Sequence, residues 1–434
     1  MLLKRLQLGL IHVAVAMTLV PINSTLNRVM IKELALSATL VAALASLPYL
    51  FSPIQVAIGS YSDRHPIFGF RRTPYIFLGL LLCALGVIVS PGAAFLMSRD
   101  PGIGILAGLL AFGAWGMGFN LSSVSYLSLA SELSGPGGRG KTIATMWFMM
   151  IVSIILTAIG LSRMVDPYTP EALVRAFAYV GIAALVLGML GLVRLERRAQ
   201  AGDAVQAEAY TVKQMAGAVT GNPTARLFFI YLLLLLAAIL GQDVLLEPFA
   251  AEAFGLSVKA TTRITSLWGT FVLLAILIAG ALEGRLAKRL VAQVGNLGAL
   301  AGFLVILASG WTRSLGIFYG GVTLLGLGTG LATVSNLSLM FDFTVEGSVG
   351  LYIGAWGFSN ALSRLTGSLL AGALRDVVAH LSARSLAGYL AVFAVEALML
   401  IAATVMLARL DVGAFRKRAG DPPFAEKVGL AADA

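Results

Sequence analysis

The sequence predicts an all-α integral membrane protein of twelve transmembrane helices, arranged as two related six-helix halves with both termini in the cytoplasm. Three observations lead to this fold class: an apolar composition, a series of long apolar runs and an internal repeat. Of the 434 residues, 58% are hydrophobic and only 12% are charged, and the mean hydropathy is +0.90. Soluble domains carry about 25% charged residues, so a chain of soluble domains is excluded.

The apolar runs define the individual helices, because a membrane-spanning helix needs about 20 consecutive apolar residues. Such runs occur at 7–27, 38–59, 74–97, 102–131, 142–165, 172–193, 225–246, 264–283, 289–311, 315–341, 350–373 and 386–409. We therefore expect an N-terminal bundle at 1–194, a cytoplasmic linker at 195–223, a C-terminal bundle at 224–410 and a cytoplasmic tail at 411–434.

The charges set the orientation and exclude one class of partner. With the N-terminus inside, the cytoplasmic segments hold about twice as many Lys and Arg residues as the outer segments, as membrane topology favours. The net charge of +10 comes from scattered residues and forms no basic stripe with interleaved aromatic residues, so nucleic acid is not expected as a partner. Cys83 is the single cysteine, which excludes a disulfide framework and a thiolate metal site.

The internal repeat relates the run at 102–131 to the run at 315–341. The pattern Gly-x-Gly-x-x-Leu-x-x-Val-Ser-x-Leu-Ser-Leu-x-x-acid begins at Gly116 and again at Gly326, and every matched pair is 210 residues apart. The final acids of the two copies are Glu132 and Asp342. Twelve helices in two related halves are the layout of the major facilitator superfamily, which places a central cavity between the halves.

A motif between the second and third runs predicts a charge clasp in a cytoplasmic loop. It resembles the loop motif of that superfamily, in which a glycine allows close helix packing and an acid at a helix end pairs with basic groups. The alternative is that its basic residues are only positive-inside anchors. The motif residues are Gly59, Asp63, Arg64, Gly69, Arg71 and Arg72.

Polar and charged residues inside apolar runs are costly and are functional candidates for that reason. Arg364 and Glu396 lie near the middle of the last two runs and are candidate partners, either as a structural pair or as a substrate or proton site. Asp243 and Glu247 are four residues apart and share a helical face near the outer surface, where they could handle protons. Asn120 lies in the fourth run, beside a polar stripe that either lines a cavity or packs helices.

His12 is the only histidine within an apolar run. Imidazole is a common metal ligand, so His12 could hold the magnesium of a chlorophyll-type pigment; packing through a hydrogen bond is the alternative. We expect no resident metal site, because the sequence has no cluster of His and carboxylate residues. It also has no set of nucleophile, base and orienting group for hydrolysis.

Three strings carry a resemblance to a known family. They are Thr25-Leu-Asn-Arg-Val-Met30 at the end of the first run, the loop from Gly59 to Tyr75, and Gln242-Asp-Val-Leu-Leu-Glu-Pro-Phe249 at the end of the seventh run. Together they resemble the bacteriochlorophyll delivery family, the PucC- and LhaA-like light-harvesting assembly proteins of phototrophic bacteria, a branch of the major facilitator superfamily. One member of that family carries the label of a bacteriochlorophyll synthase chain.

The resemblance implies a non-enzymatic assembly factor in the bacterial inner, photosynthetic membrane. It would bind bacteriochlorophyll as cargo, without an intrinsic cofactor, and associate with antenna polypeptides, bacteriochlorophyll synthase or both. The alternative is a proton-coupled small-molecule transporter of the superfamily. The candidate pigment or substrate contacts are His12, Asn23, Asn27, Arg28, Asn120, Arg364 and Glu396, and the candidate proton or gating residues are Asp243, Glu247, Glu132 and Asp342.

Overall fold

A computed structural model describes residues 2–135, 138–198, 211–281, 285–345 and 348–419. All regular elements within these ranges are helices. The helices are α1 Leu2–Met17, α2 Ala38–Ala45, α3 Leu47–Leu50, α4 Ile54–Arg64, α5 Thr73–Arg99, α6 Pro101–Ser134, α7 Arg139–Met164, α8 Pro170–Leu192, α9 Val212–Gly221, α10 Pro223–Gly241, α11 Leu246–Phe254, α12 Val258–Ala281, α13 Lys288–Thr312, α14 Leu315–Asp342, α15 Val349–Ser382, α16 Ser385–Arg409 and α17 Val412–Ala419.

The helices form two compact units. Unit 1 contains the described residues of Met1–Ala207 together with Asp243–Gly269, and unit 2 contains those of Glu208–Gln242 and Thr270–Ala434. The segment after α10 therefore packs with the N-terminal helices, although it follows α9 and α10 of unit 2 in the chain. In unit 2 the short helix α17 packs back on its own bundle, where the Asn222 side chain donates to the Phe415 carbonyl (3.2 Å).

Ten helical stretches of the described chain are long and apolar enough to cross a membrane. The run predicted at 38–59 differs from them, because it is divided into α2, α3 and α4. Pro48 lies in the first turn of α3 and Pro53 precedes α4. Proline has no backbone N–H and disfavours helix in the residue before it, which accounts for both interruptions. The run at 350–373 lies inside the 34-residue helix α15.

The first spanning stretch, which we call helix one, continues beyond α1 and runs from Leu2 to Glu33. Its second half contains two π-helical turns, Pro21–Leu26 and Val29–Glu33, in which the backbone hydrogen bond reaches one residue further than in an α-helix. Pro21, which has no backbone N–H, is the first residue of the first π-helical turn. Turns of this kind are rare and are often found at functional sites.

The repeat seen in the sequence corresponds to the same packing device in each unit. A Cβ atom on Gly118 of α6 would stand 2.5 Å from the Gly79 carbonyl oxygen of α5. A Cβ atom on the equivalent Gly328 of α14 would stand 2.7 Å from the Gly295 carbonyl oxygen of α13. Only glycine permits such close contact, so the matched glycines fix how α6 packs on α5 and how α14 packs on α13.

Candidate functional site

The distorted half of helix one carries a row of buried polar side chains. Ser24, Thr25, Asn27 and Arg28 are all less than 5% exposed. One Arg28 nitrogen donates to Glu33 and the other donates to the Leu256 carbonyl oxygen (3.1 Å). Within the described chain, Oδ1 of Asn27 and Nε of Arg28 have no hydrogen-bond partner. An unsatisfied acceptor and an unsatisfied donor on successive buried residues are unusual in a folded protein.

The segment Asp243–Gly269 completes this site, which lies wholly within unit 1. The second π-helical turn packs against α11. Thr25 and Thr262 share a hydrogen bond of 3.0 Å, and Thr265 donates to Oε1 of the buried Glu247 (2.7 Å). The structure thus brings the predicted residues Asn27, Arg28 and Glu247 into one polar region. Asn23 takes part through its carbonyl oxygen, which accepts from Asn27 (3.3 Å), and its side chain is half-buried.

Two ion pairs lie next to this polar region. Lys32 pairs with Glu252, and Lys259 pairs with Asp166 at 2.5 Å. Burial, reinforced by the nearby negative charge of Glu33, raises the pKa of Tyr168, which lies in the loop before α8. The ion pairs and Tyr168 connect the end of helix one to that loop and to the segment Asp243–Gly269.

Glu247 lies in α11, between the spanning stretches Pro223–Val244 and Val258–Ala281. Burial raises the pKa of its carboxyl group to about 8, and the negative charge of Asp243 acts in the same direction. The hydrogen bond from Thr265 opposes this shift only in part. Glu247 is therefore mostly protonated at neutral pH. Asp243 lies in a short 3-10 turn and is partly exposed.

An ion pair joins the loop between α4 and α5 to Glu132 of α6, and we call this contact the clasp of unit 1. The buried Arg72 donates to Oε1 of Glu132 from Nη2 (3.2 Å) and Nε (3.3 Å), and to Oγ of Ser62 (2.7 Å). Arg71 approaches the same carboxylate at 3.8 Å. Glu196 accepts hydrogen bonds from three successive backbone N–H groups, at Arg71, Arg72 and Thr73, and so caps the start of α5. This carboxylate replaces the intrahelical partners that the first turn lacks.

The remaining residues of the loop motif contribute less to this contact. Arg64 is exposed at the end of α4, and a Cβ atom on Gly59 would only touch Val124 (3.5 Å). Gly69 has a positive φ of 79°. The side chain of Asp63, predicted as the acid of the clasp, lies outside the described residues.

Unit 2 has a second and weaker clasp at the equivalent position. Lys288, at the start of α13, pairs with Asp342 at the end of α14 (2.9 Å). Asp342 matches Glu132 in the repeat. In each unit, an acid near the end of the repeated helix (α6 or α14) therefore pairs with a basic residue just before or at the start of the preceding long helix (α5 or α13). The Lys288 side chain is 49% exposed and that of Arg72 only 6%, so the two clasps differ in solvent screening.

His12 lies in α1 and contacts α6 and α7. Its Nε2 atom is 2.9 Å from Sδ of Met150, and its Nδ1 atom has no hydrogen-bond partner within the described residues. The imidazole ring lies near two aromatic rings, Tyr126 (centroids 5.3 Å apart) and Trp147 (6.2 Å). His12 is therefore separated along helix one from the polar region at Asn27 and Arg28.

The side chain of Asn120 makes hydrogen bonds that the sequence did not predict. Its amide group donates to the carbonyl oxygens of Pro48 and Gly116, both at 2.8 Å, and its Oδ1 atom accepts from Gln55. The contacts with Pro48 and Gln55 hold α6 against the interrupted helices α3 and α4.

Arg364 and Glu396 both lie in unit 2. Nε of Arg364 donates to Oδ1 of Asn360 one turn earlier (3.4 Å). Glu396 is buried where α10, α15 and α16 meet, with Oε1 standing 3.0 Å from the place that a Cβ atom on Gly241 would occupy. Their pairing with each other stays a prediction.

Some residues of the site were missed by the sequence reasoning. Thr262, Thr265 and Tyr168 contribute to the polar region, and Glu196 caps α5. The two threonines gave a detectable signal, because the start of α12 is rich in hydroxyl residues. Glu196 gave none, since its partners are backbone groups far away in the chain. In the part of the chain that the structure describes, no three His, Cys, Asp or Glu residues are placed to hold a metal ion.

Comparison with known proteins gives both the fold and the family. A point mutant of the nucleoside transporter NupG superimposes with a TM-score of 0.74, at 12% identity, over 94% of this chain and 99% of its own. Such a match shows the fold, and it confirms the prediction of an all-α major facilitator architecture.

Relatives with sequence similarity extend over nearly the whole chain. Protein PucC of Rhodobacter capsulatus is 32% identical over 422 residues, covering 92% of this chain and 90% of its own. The bacteriochlorophyll synthase 44.5 kDa chain of the same species is 30% identical over 414 residues, covering 93% and 94%. A profile of the family described as "PUCC protein" matches residues 25–415. The chain therefore belongs to the PucC protein family.

Proposed function

We propose that this chain binds bacteriochlorophyll within the membrane and delivers it during assembly of light-harvesting complexes. Family membership supports a role in assembling photosynthetic pigment complexes, and one relative is named as a bacteriochlorophyll synthase chain. The structural observation that carries the proposal is His12, a buried imidazole with one nitrogen lacking a hydrogen-bond partner among the described residues.

The surroundings of His12 suit a magnesium macrocycle. When Nε2–H donates to the Met150 sulfur, Nδ1 keeps a free lone pair, which is the form of imidazole that binds a metal. The aromatic rings of Tyr126 and Trp147 lie next to the imidazole. A flat, apolar pigment would gain dispersion contacts and burial from these rings.

Entry of the pigment requires a side chain to move. His12 is only 7% exposed, and Met150 contacts it directly. Methionine is flexible and adapts to new neighbours at low cost. Trp147 is 41% exposed, so the pigment would reach His12 from the exposed side of α7. The free donor of Arg28 and the free acceptor of Asn27 would form a second polar point further along helix one.

Antenna polypeptides, bacteriochlorophyll synthase or both are the proposed protein partners, and the photosynthetic membrane is the proposed location. The chain would act on this pathway without catalysing a step itself. Support for this comes from the names of relatives in a phototrophic bacterium and from the apolar surface of the spanning helices, which suits helix–helix association in lipid.

The direct test is the near-infrared absorption of the protein purified in mild detergent from a phototrophic host. We expect a stoichiometric bacteriochlorophyll band that is lost in His12→Ala and kept in the matched control His380→Ala, because His380 is exposed. Met150→Ala should keep or strengthen the band, since it removes the side chain that contacts His12. A colourless protein, purified without antenna polypeptides or pigment enzymes, would contradict the proposal.

A proton-coupled transporter is the second candidate, and Glu247 is the observation that favours it. This buried carboxyl group bonds to Thr265 and has a pKa raised to about 8, so it can bind and release a proton near neutral pH. If the protein is colourless, uptake of protons by proteoliposomes on addition of candidate solutes, abolished by Glu247→Gln, would support transport.

A further inference from the structure

The loop that joins α4 to α5 contains a tight hairpin with an unusual residue at its tip. The backbone groups of Ile67 and Phe70 exchange two hydrogen bonds of 3.0 Å, and Phe68 and Gly69 form the two-residue turn between them. Both turn residues have positive φ, 53° at Phe68 and 79° at Gly69. This is the backbone of a type I′ turn, for which Asn-Gly is strongly preferred.

Phe68 is costly at this position in two ways. A phenylalanine with positive φ is strained, because its Cβ atom crowds the following carbonyl oxygen. The side chain is also 88% exposed, and its neighbour Ile67 is 41% exposed. Packing within the described chain compensates for neither cost, so Phe68 is explained better by a contact outside the chain.

Unit 1 holds the hairpin in a fixed orientation. Tyr75 donates to the His65 carbonyl oxygen before the turn (2.7 Å), and Glu196 accepts from the backbone of Arg71 after it (2.9 Å). The Arg198 guanidinium lies over the Phe70 ring, 5.9 Å from its centroid. The exposed side chain of Phe68 is therefore presented by a supported loop.

The position and charge of the hairpin indicate what it contacts. It connects Arg64, the last residue of α4, to Thr73, the first residue of a spanning stretch. A loop this short keeps its tip within the polar layer of the bilayer, which adds roughly 5–8 Å on each side of the hydrocarbon core. Arg64, Arg197 and Arg198 are exposed. An apolar tip with cations beside it matches a surface of anionic lipid headgroups.

We propose that Phe68 anchors this hairpin in the headgroup layer of an anionic membrane, with the neighbouring arginines binding lipid phosphate. Such a contact would hold the loop that carries the Arg72–Glu132 clasp at the membrane surface. The inference does not depend on pigment binding.

A fluorophore at position 68 tests the proposal. The only natural cysteine, Cys83, is buried, so a thiol-reactive, polarity-sensitive dye will label Phe68→Cys selectively in the folded protein. In nanodiscs containing phosphatidylglycerol we expect a blue-shifted emission and quenching by lipids spin-labelled near the headgroup. Nanodiscs of phosphatidylcholine alone should give less of both. A dye that stays in water in both lipids, or is shielded only when other membrane proteins are added, would overturn the proposal.

A second variant separates lipid contact from packing. Because Asn suits a type I′ turn, Phe68→Asn should raise the unfolding temperature in detergent. It should also lose the extra stabilisation that the unaltered protein gains on transfer into phosphatidylglycerol nanodiscs. A Phe68→Asn protein that is less stable in detergent would show that Phe68 packs within the chain, which would also overturn the proposal.

Discussion

Replacing Arg72 and Glu132 by alanine, singly and together, measures what the charge clasp of unit 1 contributes. The side chain of Arg72 is 6% exposed and that of Glu132 is 30% exposed, and two guanidinium nitrogens donate to one carboxylate oxygen. Hydrogen bonds to charged groups contribute about 1.5–3 kcal/mol. We therefore expect a coupling free energy of about 1.5–3 kcal/mol between Arg72 and Glu132.

The repeat supplies the matched control. Lys288 and Asp342 form the equivalent clasp in unit 2, but their side chains are 49% and 28% exposed. Exposed ion pairs contribute about 0.2–1 kcal/mol because water and salt screen them. The same cycle with Lys288→Ala and Asp342→Ala should therefore give a coupling free energy of at most about 1 kcal/mol.

Cys83 provides the assay, since its thiol is buried in the folded chain and becomes reactive when unit 1 opens. Unfolding in mixed micelles with increasing dodecyl sulfate, followed by a thiol-reactive dye, would give the free energy of each unit 1 variant. For unit 2, the same unfolding would be followed by the fluorescence of Trp311 and Trp356 in a background where the three tryptophans of unit 1 are replaced by phenylalanine. Equal coupling energies in the two clasps would refute the argument from burial. Addition of salt to about 1 M, where the screening length falls to about 3 Å, should weaken only the exposed pair.

Three further outcomes follow from particular contacts. The contribution of Glu247 to stability should fall by about 1.4 kcal/mol per pH unit between pH 4.5 and about pH 8, because folded Glu247 keeps a proton that the unfolded chain has released. The difference in stability between the unaltered protein and Glu247→Gln should show this slope in thermal unfolding across pH. Asn120→Ala should cost about 1–3 kcal/mol, because it leaves the Pro48 carbonyl oxygen and Gln55 without their partner; an unchanged unfolding temperature would contradict this. Gly118→Ala should prevent stable folding, whereas Gly113→Ala in the same helix, where a Cβ atom meets nothing within 4 Å, should be neutral or stabilising in the same assay.

The sequence predicts the spanning helices and the repeat well, because both depend on local composition and on a fixed spacing. It also identified Asn27, Arg28 and Glu247, which unit 1 brings into one polar region. Their neighbours Thr265 and Tyr168 were not predicted, since the contacts join segments far apart in the chain. Asn120 was predicted as a binding residue, and its hydrogen bonds to α3 and α4 were not predicted, because they too join distant segments.

Two local features were beyond any pattern in the sequence. The π-helical turns after Pro21 depend on how helix one packs, and apolar periodicity does not register a single extra residue. The strain at Phe68 is visible only in the backbone, because Phe-Gly is not a typical turn sequence. In both places local preference and structure disagree, which is where functional sites are commonly found.

The π-helical turns of helix one also bear on how this protein changes over evolution. Each π turn holds one residue more than an α-helical turn would, so a one-residue deletion within Pro21–Leu26 would restore regular helix. Because a π turn takes up its extra residue locally, the residues beyond it would keep the faces that they now present. Arg28 would still face Leu256, and Asn27 would stay in the buried row. A related chain could therefore lose one codon here, and with it the distortion of helix one, and still keep the polar side chains of this region.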